Sequence, residues 1–308
     1  MLRLAVTTRA ETFERMADPL ADRDIDVVHV QAKERTLSLT GDPDLPDVDV
    51  GFVYPSRLME GSVVDTLLDV PWVNGREAIL TSRNKAGVIA ALSQADIPVP
   101  ETTLVSNPVG ESELVDALAG LAAVGDAESD GGGTAPGGLD ADNPVVVKPN
   151  STTRGTGIAK ATDLDSLLGT VDYLNLVHDY RATGDRAYLL QEYLPDARDY
   201  RAMVVDGEFV GAVERRLPED AVAEGRWKHN VHRGAEAVGV DLPDEHRRLA
   251  ERTAEVLDIP YLGVDLLETD DRLVVNETNA RPTIDAATKY KPGFYDKLAA
   301  MVRRRASE

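Results

Sequence analysis

The chain of 308 residues contains no cysteine, which removes disulfides, thiolate metal sites and cysteine nucleophiles together. Any metal must then sit on oxygen or histidine. Aromatic residues are scarce, at 5%. No apolar run approaches the roughly 18 residues a membrane-crossing helix needs, and Met1 leads straight into the strand-like Leu2-Arg3-Leu4-Ala5-Val6 rather than a basic region with a greasy stretch behind it. A soluble cytoplasmic protein without a membrane partner is expected. Several familiar signatures are missing too. No GxGxxG follows the first strand, no GxxxxGK[ST] occurs, and neither HRD and DFG motifs nor a GxSxG elbow can be found, so dinucleotide, Walker-type, kinase and serine-hydrolase readings have no support.

Positive charge is in short supply. Lys and Arg total 33 against 54 Asp and Glu, for a net charge of −21, which argues against nucleic acid or anionic lipid as partners. Only eight of the cations are lysines. This bias points to a proteome adapted to concentrated salt, where acidic surfaces stay hydrated and their repulsion is screened; an ordinary acidic protein is the alternative. Because lysine is rare here, a lysine beside a motif gains weight.

An apolar fraction of 43% can fill a sizeable interior, and the length implies two or three compact units. The first is a small α/β layer: strands at Leu2–Thr7, Val27–Val30, Asp49–Tyr54 and Trp72–Asn74, with helices at Glu11–Ala21 and Gly61–Leu68 between them. Next, the spacing of Ile89, Leu92 and Ile97 predicts a helix capped by Thr81 or Ser82 and stopped by Pro98 and Pro100. Residues 125–143 are rich in Gly, Asp and Ala and predict a disordered surface insertion ahead of a strand over Pro144–Pro149. The last unit opens near Leu189, runs through strands at Arg201–Val205 and Phe209–Arg215 and a helix at Asp244–Leu257, and closes on a hairpin of Leu262–Glu268 and Arg272–Asn279 turning at Thr269–Asp271.

The hairpin says most about chemistry. A turn centred near Asp271 would set Asp265 opposite Glu277 on neighbouring strands, with Asn279 on the face of Glu277. Like charges directly across a sheet repel, so three converging oxygen side chains suit a hard cation, Mg2+ before Ca2+, whose shell bound phosphates complete. A solvated hairpin edge in another register is the alternative. Lys148 ends the apolar run Val145-Val146-Val147 and precedes a loop containing Gly155 and Gly157, a phosphate grip with a lid or else a snorkelling lysine and an ordinary turn. Arg83 and Lys85 are expected in the first turn of their helix, where cations oppose the macrodipole unless an anion sits there; a solvated surface is the other reading. The stretch from Arg226 to Gly234 brings together basic side chains, His229, His232 and Asn230, suited to an anionic substrate and phosphate oxygens or to pairing with surface carboxylates. A metal site on the two histidines is the weaker option, since no third ligand is near.

Taken in order, SRNK, VVVKP with its glycine loop, LQEYL, DYR, KHN with VHRG, VDLLE and NETN resemble the successive motifs of the ATP-grasp superfamily, and of its RimK-like amino-acid ligases in particular, over roughly residues 77–300. The resemblance implies an α/β (α+β) ATP-grasp fold: a small N-terminal α/β pre-grasp domain (1–76), a central subdomain (77–190, with the insertion 125–143) and a C-terminal subdomain (191–305). It implies that Lys85, Lys148 and the loop of Gly155 and Gly157 hold ATP phosphates, that Gln191, Glu192, Tyr193 and Leu194 form a hinge whose backbone reads adenine, and that Asp199 binds ribose. Lys228, His229 and Asn230 would complete the nucleotide site. Asp265, Glu277 and Asn279 match the family's ligands for Mg2+, with Mn2+ as a substitute. Arg201, Arg215, Arg233 and Arg281 become candidates for gripping the carboxylate and steadying an acyl phosphate. The implied reaction joins a carboxylate to an amine and releases ADP and phosphate, with glutamate as the amino acid and a protein tail, peptide or coenzyme as acceptor. A glutathione-synthase-like peptide ligase and a non-catalytic nucleotide-binding regulator are the alternatives, and a homo-oligomer is left open. The sequence departs from the RimK pattern at Ala280-Arg281-Pro282, where a short Ser-Pro is usual.

Overall fold

The computed structural model describes residues 1–7, 11–106, 109–125, 139–152, 155–177, 185–231, 234–286 and 289–308. The chain opens with alternating elements: β1 (Leu2–Val6), α1 (Glu11–Ala21), β2 (Ile25–His29), β3 (Val50–Val53), α2 (Leu58–Leu68) and β4 (Trp72–Asn74). The strands form a parallel sheet in the order β2-β1-β3-β4, because each connection is long enough to cross over.

Two helices follow where one was expected, α3 (Arg76–Arg83) and α4 (Lys85–Gln94). Asn84 separates them. Its N–H closes α3 on Leu80 and Thr81, and its side chain caps α4 by accepting from the Gly87 N–H at 3.1 Å. The cap is therefore neither Thr81 nor Ser82: an Asn side chain at the break reaches the free N–H, whereas the Ser82 hydroxyl is engaged with the far hairpin. Lys85 opens α4, but Arg83 ends α3.

A second sheet comes from β5 (Thr102–Val105), α5 (Glu111–Gly125), β6 (Val145–Pro149), β7 (Ala159–Ala161), α6 (Leu164–Val177) and β8 (Tyr188–Glu192), ordered β5-β8-β6-β7. Val145, Val147, Leu167, Val171, Tyr188 and Leu190 fill a core of their own. Most of the expected insertion, 126–138, lies outside the described residues.

The rest of the chain forms β9 (Arg198–Val205), β10 (Glu208–Arg216), α7 (Glu219–Ala223), β11 (Glu236–Val240), α8 (Asp244–Leu257), β12 (Tyr261–Glu268), β13 (Leu273–Asn279) and α9 (Phe294–Ala306). The strands make an antiparallel sheet in the order β11-β10-β9-β12-β13. One apolar cluster runs from Leu4, Phe52 and Trp72 of the first sheet through Ile79 and Leu92 of α3 and α4 to Tyr200, Tyr261 and Leu298. The first and third sheets therefore share a core. Asn74, fully buried at the end of β4, fixes the seam by donating to the carbonyls of Tyr261 (2.6 Å) and Ala280 (2.7 Å). No helix among the described residues is long and apolar enough to cross a membrane.

Candidate active site

Asp265 and Glu277 are cross-strand partners, and Asn279 pairs with Gly263 two residues on. The pairing shifts between Asp265 and Leu266, which meets Val275, so Asn276 is the extra residue of a β-bulge. A bulge re-aims the side chains around it. Here the Asn276 amide accepts from Lys148 Nζ at 2.8 Å, joining the central sheet to the hairpin.

Lys148 stands at the end of β6, buried, and also donates to Gln191 on β8. Burial pushes its ammonium down to about 8, against the pull of Glu277 and with help from the like charge of Lys85. Lys85 is buried as well. Its ammonium donates to the carbonyls of Asn150 and Thr152 and lies 3.7 Å from Glu277. Asn150 accepts from the Ala86 N–H at 2.9 Å, so the start of α4 is fixed against the end of β6.

Asp199, Arg201, Arg215 and Asp265 form a chain of ion pairs across β9, β10 and β12. Arg201 grips Asp265 with two bonds of 2.7 and 2.8 Å, while Arg215 joins Asp199 at 2.8 Å to Asp265 at 3.0 Å. Burial alone would raise Asp265, yet the two guanidiniums outweigh it and hold the carboxyl below its ordinary value. Burial would likewise discharge Arg215; Asp265 and Asp199 keep it charged. Both arginines thus already hold carboxylates inside the protein. Asp199 lies 3.6 Å from His229 Nδ1 as well.

The loop after β6 reaches the 227–230 segment. Lys228 donates to the Ile158 carbonyl. Gly155 has φ +66° and a Cβ there would stand 2.6 Å from Asn230 Oδ1, while one on Gly157, at φ +75°, would stand 2.7 Å from Pro149. Side chains are excluded twice over at both positions, by conformation and by space. Beyond β8, Tyr193 meets Trp227 edge-on with centroids 5.8 Å apart, and the Lys160 ammonium sits 4.6 Å from the Tyr193 ring. Glu192 accepts two bonds from Arg272, at 2.8 and 2.9 Å, tying β8 to the hairpin turn. Leu194 follows directly.

The expected nucleotide residues are therefore gathered around the junction of the second and third sheets. Arg233 and His232 lie outside the described residues. Asn74 and Lys160 were not singled out by sequence reasoning, although the rarity of lysine gave a signal for Lys160; Ser82 was weighed only as a helix cap, and Asn276 stood only within the NETN motif. Among the described residues no three His, Asp or Glu side chains converge on one point. The oxygen donors that face each other are two carboxylates and the Asn279 amide, whose Oδ1 accepts from the Arg281 N–H at 2.8 Å. Carboxylate and amide oxygens fit Mg2+ chemically, and so small a set matches an ion that phosphates also ligate. A larger cleft, about 690 Å³, lies elsewhere, bordered by Gly75, Arg76, Asp206, Pro260 and Met301. None of the expected site residues lines it.

A strand-end lysine in one sheet thus meets a hairpin of another on which two carboxylates are opposed. Residues 138–298 match the RimK-like ATP-grasp domain, and the chain belongs to that family. It is 27% identical over 219 residues to the probable alpha-L-glutamate ligase of Citrobacter koseri and, equally, to the ribosomal protein bS6–L-glutamate ligase of Escherichia coli O139:H28, covering 70% of this chain and 62% of each relative. The match thus spans less than two thirds of those proteins. Among solved structures, the RimK domain ATP-grasp protein of Sphaerobacter thermophilus superimposes with a TM-score of 0.62 at 23% identity, covering 99% of this chain and 100% of that one. D-alanyl-alanine synthetase A of Vibrio cholerae gives 0.66 at 15% identity, over 100% and 98%. These two share the ATP-grasp fold.

Proposed function

We propose that the chain is an ATP-dependent carboxylate–amine ligase that phosphorylates a carboxylate, passes the acyl group to an amine and releases ADP and phosphate. The observation that carries this reading is the facing of Asp265 and Glu277 across β12 and β13, with the buried Lys148 and Lys85 reaching the same hairpin from β6 and α4. Lys148 and Lys85 hold phosphate oxygens, and the loop of Gly155 and Gly157 covers them. Gln191, Glu192, Tyr193 and Leu194 border the adenine, with Asp199, Lys228, His229 and Asn230 on the ribose and phosphate side. Asp265, Glu277 and Asn279 take Mg2+, or Mn2+ in its place, which neutralises phosphate charge when bound. Arg201 and Arg215 keep Asp265 ionised and oriented. Arg281 is the substrate-side cation.

A carboxylate acylates poorly until its oxygen is phosphorylated, and both transfers need mainly positioning and charge neutralisation. No nucleophilic side chain is required, in keeping with the absence of cysteine. Glutamate is the proposed amino acid, because the two curated relatives are named glutamate ligases; the acceptor is a peptide, protein tail or coenzyme carboxylate. ATP as co-substrate puts the reaction in the cytoplasm.

The nucleotide product tests the mechanism. An acyl-phosphate route gives ADP, whereas adenylation gives AMP and pyrophosphate. Glu277→Gln keeps size but removes charge, and is expected to abolish amino-acid-dependent ADP release while the melting temperature stays within a few degrees. Full ADP release by that variant would remove the hairpin from the mechanism.

A further inference from the structure

β13 lies at the edge of the third sheet, and α3 and α4 pack along it. Ser82, in the last turn of α3, clamps the strand by donating to the Thr278 carbonyl at 3.1 Å and accepting from the Ala280 N–H at 3.0 Å. Beside that clamp the helices and the strand leave a void of about 10 Å³, whose walls include Ser82, Lys85, Val88, Asn276, Glu277 and Thr278. A single water needs roughly 10–15 Å³ and about two to four polar partners. The void has both the size and the lining.

Thr278 is 4% exposed, yet its hydroxyl has no hydrogen-bond partner among the described residues. A buried hydroxyl left so forfeits the bonds it makes to water in the unfolded chain. Ser82 does not serve it, because the single proton of Ser82 goes to the Thr278 carbonyl. The Lys85 ammonium and the Glu277 carboxylate, which line the same void, stand 3.7 Å apart. That is too long for a hydrogen bond and is the kind of gap a bridging water closes. An ammonium has three protons to give, and Lys85 directs two of its bonds to the carbonyls of Asn150 and Thr152, which leaves one for such a bridge. A metal cation in the void would face that ammonium, so an occupant that both donates and accepts fits better.

We propose that one buried water fills this void, accepting from Lys85 and from the Thr278 hydroxyl and donating to Glu277, and that Thr278 is thereby a positioning residue for the ammonium and the carboxylate. The water holds the two charges at their distance. Without it they close into a direct pair, and each is drawn away from the phosphate or Mg2+ it serves; this consequence rests on the ligase reading, whereas the water itself does not. A crystal structure of the full chain that shows ordered waters, and equilibrium titration of a non-hydrolysable ATP analogue with Mg2+ present, test the two halves. Density for one water within about 3.2 Å of all three groups is expected. Thr278→Val keeps the side chain's shape and loses the hydroxyl, whereas Thr278→Ser keeps the hydroxyl and loses a methyl. A packing role alone would rank valine above serine; the water ranks serine above valine. Thr278→Val should weaken the analogue about three- to tenfold, as expected for one hydrogen bond of ordinary net strength, and Thr278→Ser should stay within about twofold. A dry void in the wild type, wild-type affinity in Thr278→Val, or an equal fall in both variants would each overturn the proposal. Should Thr278→Val fail to fold, the wild-type density and the serine variant still decide. The two readings fail separately: a water in place and a loss confined to valine, without amino-acid-dependent ADP release, reject the ligase and keep the water, whereas ADP release over a dry void does the reverse.

Discussion

Replacing Lys148 with methionine should stabilise the fold and weaken nucleotide binding, two effects of opposite sign from one buried charge. Burial pulls the Lys148 ammonium from 10.5 to about 8, with Glu277 opposing and Lys85 assisting. That shift corresponds to roughly 3 kcal/mol of preference for the neutral form. Because the folded value is depressed, the unfolded chain binds the proton more tightly; the penalty is full below about pH 8 and fades as pH rises from about 8 toward 10.5. At pH 7 the wild type carries all of it. Methionine removes the charge but leaves Gln191 and Asn276 without their donor, so a net gain of about 1–2 kcal/mol is expected, a rise of roughly 2–5 °C in Tm. That advantage should shrink by pH 9.5. Nucleotide binding should move the other way, since the ammonium proposed to hold phosphate is lost above about pH 8. The wild type should lose up to about tenfold in affinity per pH unit there, and the variant should bind weakly with no inflection. Thermal scans at pH 7 and 9.5, with titration of a non-hydrolysable ATP analogue from pH 7 to 10, measure both. A variant that melts lower than wild type at pH 7 and keeps the wild-type inflection would refute the assignment of both effects to Lys148.

Asn74→Ala removes bonds to the Tyr261 and Ala280 carbonyls and to the Tyr261 N–H, and should cost about 3 kcal/mol in urea unfolding; a loss below about 1 kcal/mol would mean that the seam does not depend on this amide. Arg215→Met leaves Asp199 and Asp265 buried without their shared counterion, at a cost of about 3–5 kcal/mol at pH 7. Asp265 is held low in the wild type, so the stability it contributes is present above its unfolded value and fades as pH falls; the cost of Arg215→Met should therefore shrink toward pH 4, and a pH-independent cost would contradict this account. With a net charge of −21, the protein should melt higher as KCl rises toward molar concentration, and greatest stability in dilute buffer would reject salt adaptation.

Much of the fold was legible, for uneven reasons. Glu11–Ala21, Trp72–Asn74 and Asp244–Leu257 fall where periodicity put them, because amphipathic repeats and buried β-branched runs are local signals. The pairing of Asp265 with Glu277 was also anticipated, but only part of its cause was. The strand ends Glu268 and Leu273 pair, and that register carried on unbroken would set Asp265 against Asn276; the bulge supplies the missing residue. No spacing rule announced it. The helix break at Asn84 was missed because the apolar spacing continues across it, while the cap that decides it is a single side-chain bond. The small strands β5 and β7 and the helix α6 went unassigned, being short or framed by polar connections. What Arg201 and Arg215 hold could not be read from sequence at all, since their partners are far along the chain and are brought near only by strand register.

The pairing of Arg201 and Arg215 bears on how an acidic protein can hold a polyanion. Across the whole chain the charge repels ATP. At the junction of the sheets, however, Arg201 and Arg215 neutralise Asp265 and Asp199, and Lys85 meets Glu277. Lys148 and Arg281 add local positive charge there. Salt acts unequally on these two fields. The repulsion arises from exposed carboxylates many ångströms away and is screened within a Debye length of about 8 Å at physiological salt and less in brine, whereas buried contacts of about 3 Å are shielded far less. A surface rich in acid and a site rich in guanidinium and ammonium are thus compatible where salt is high: the first keeps the protein hydrated, and the second works at distances too short for salt to weaken.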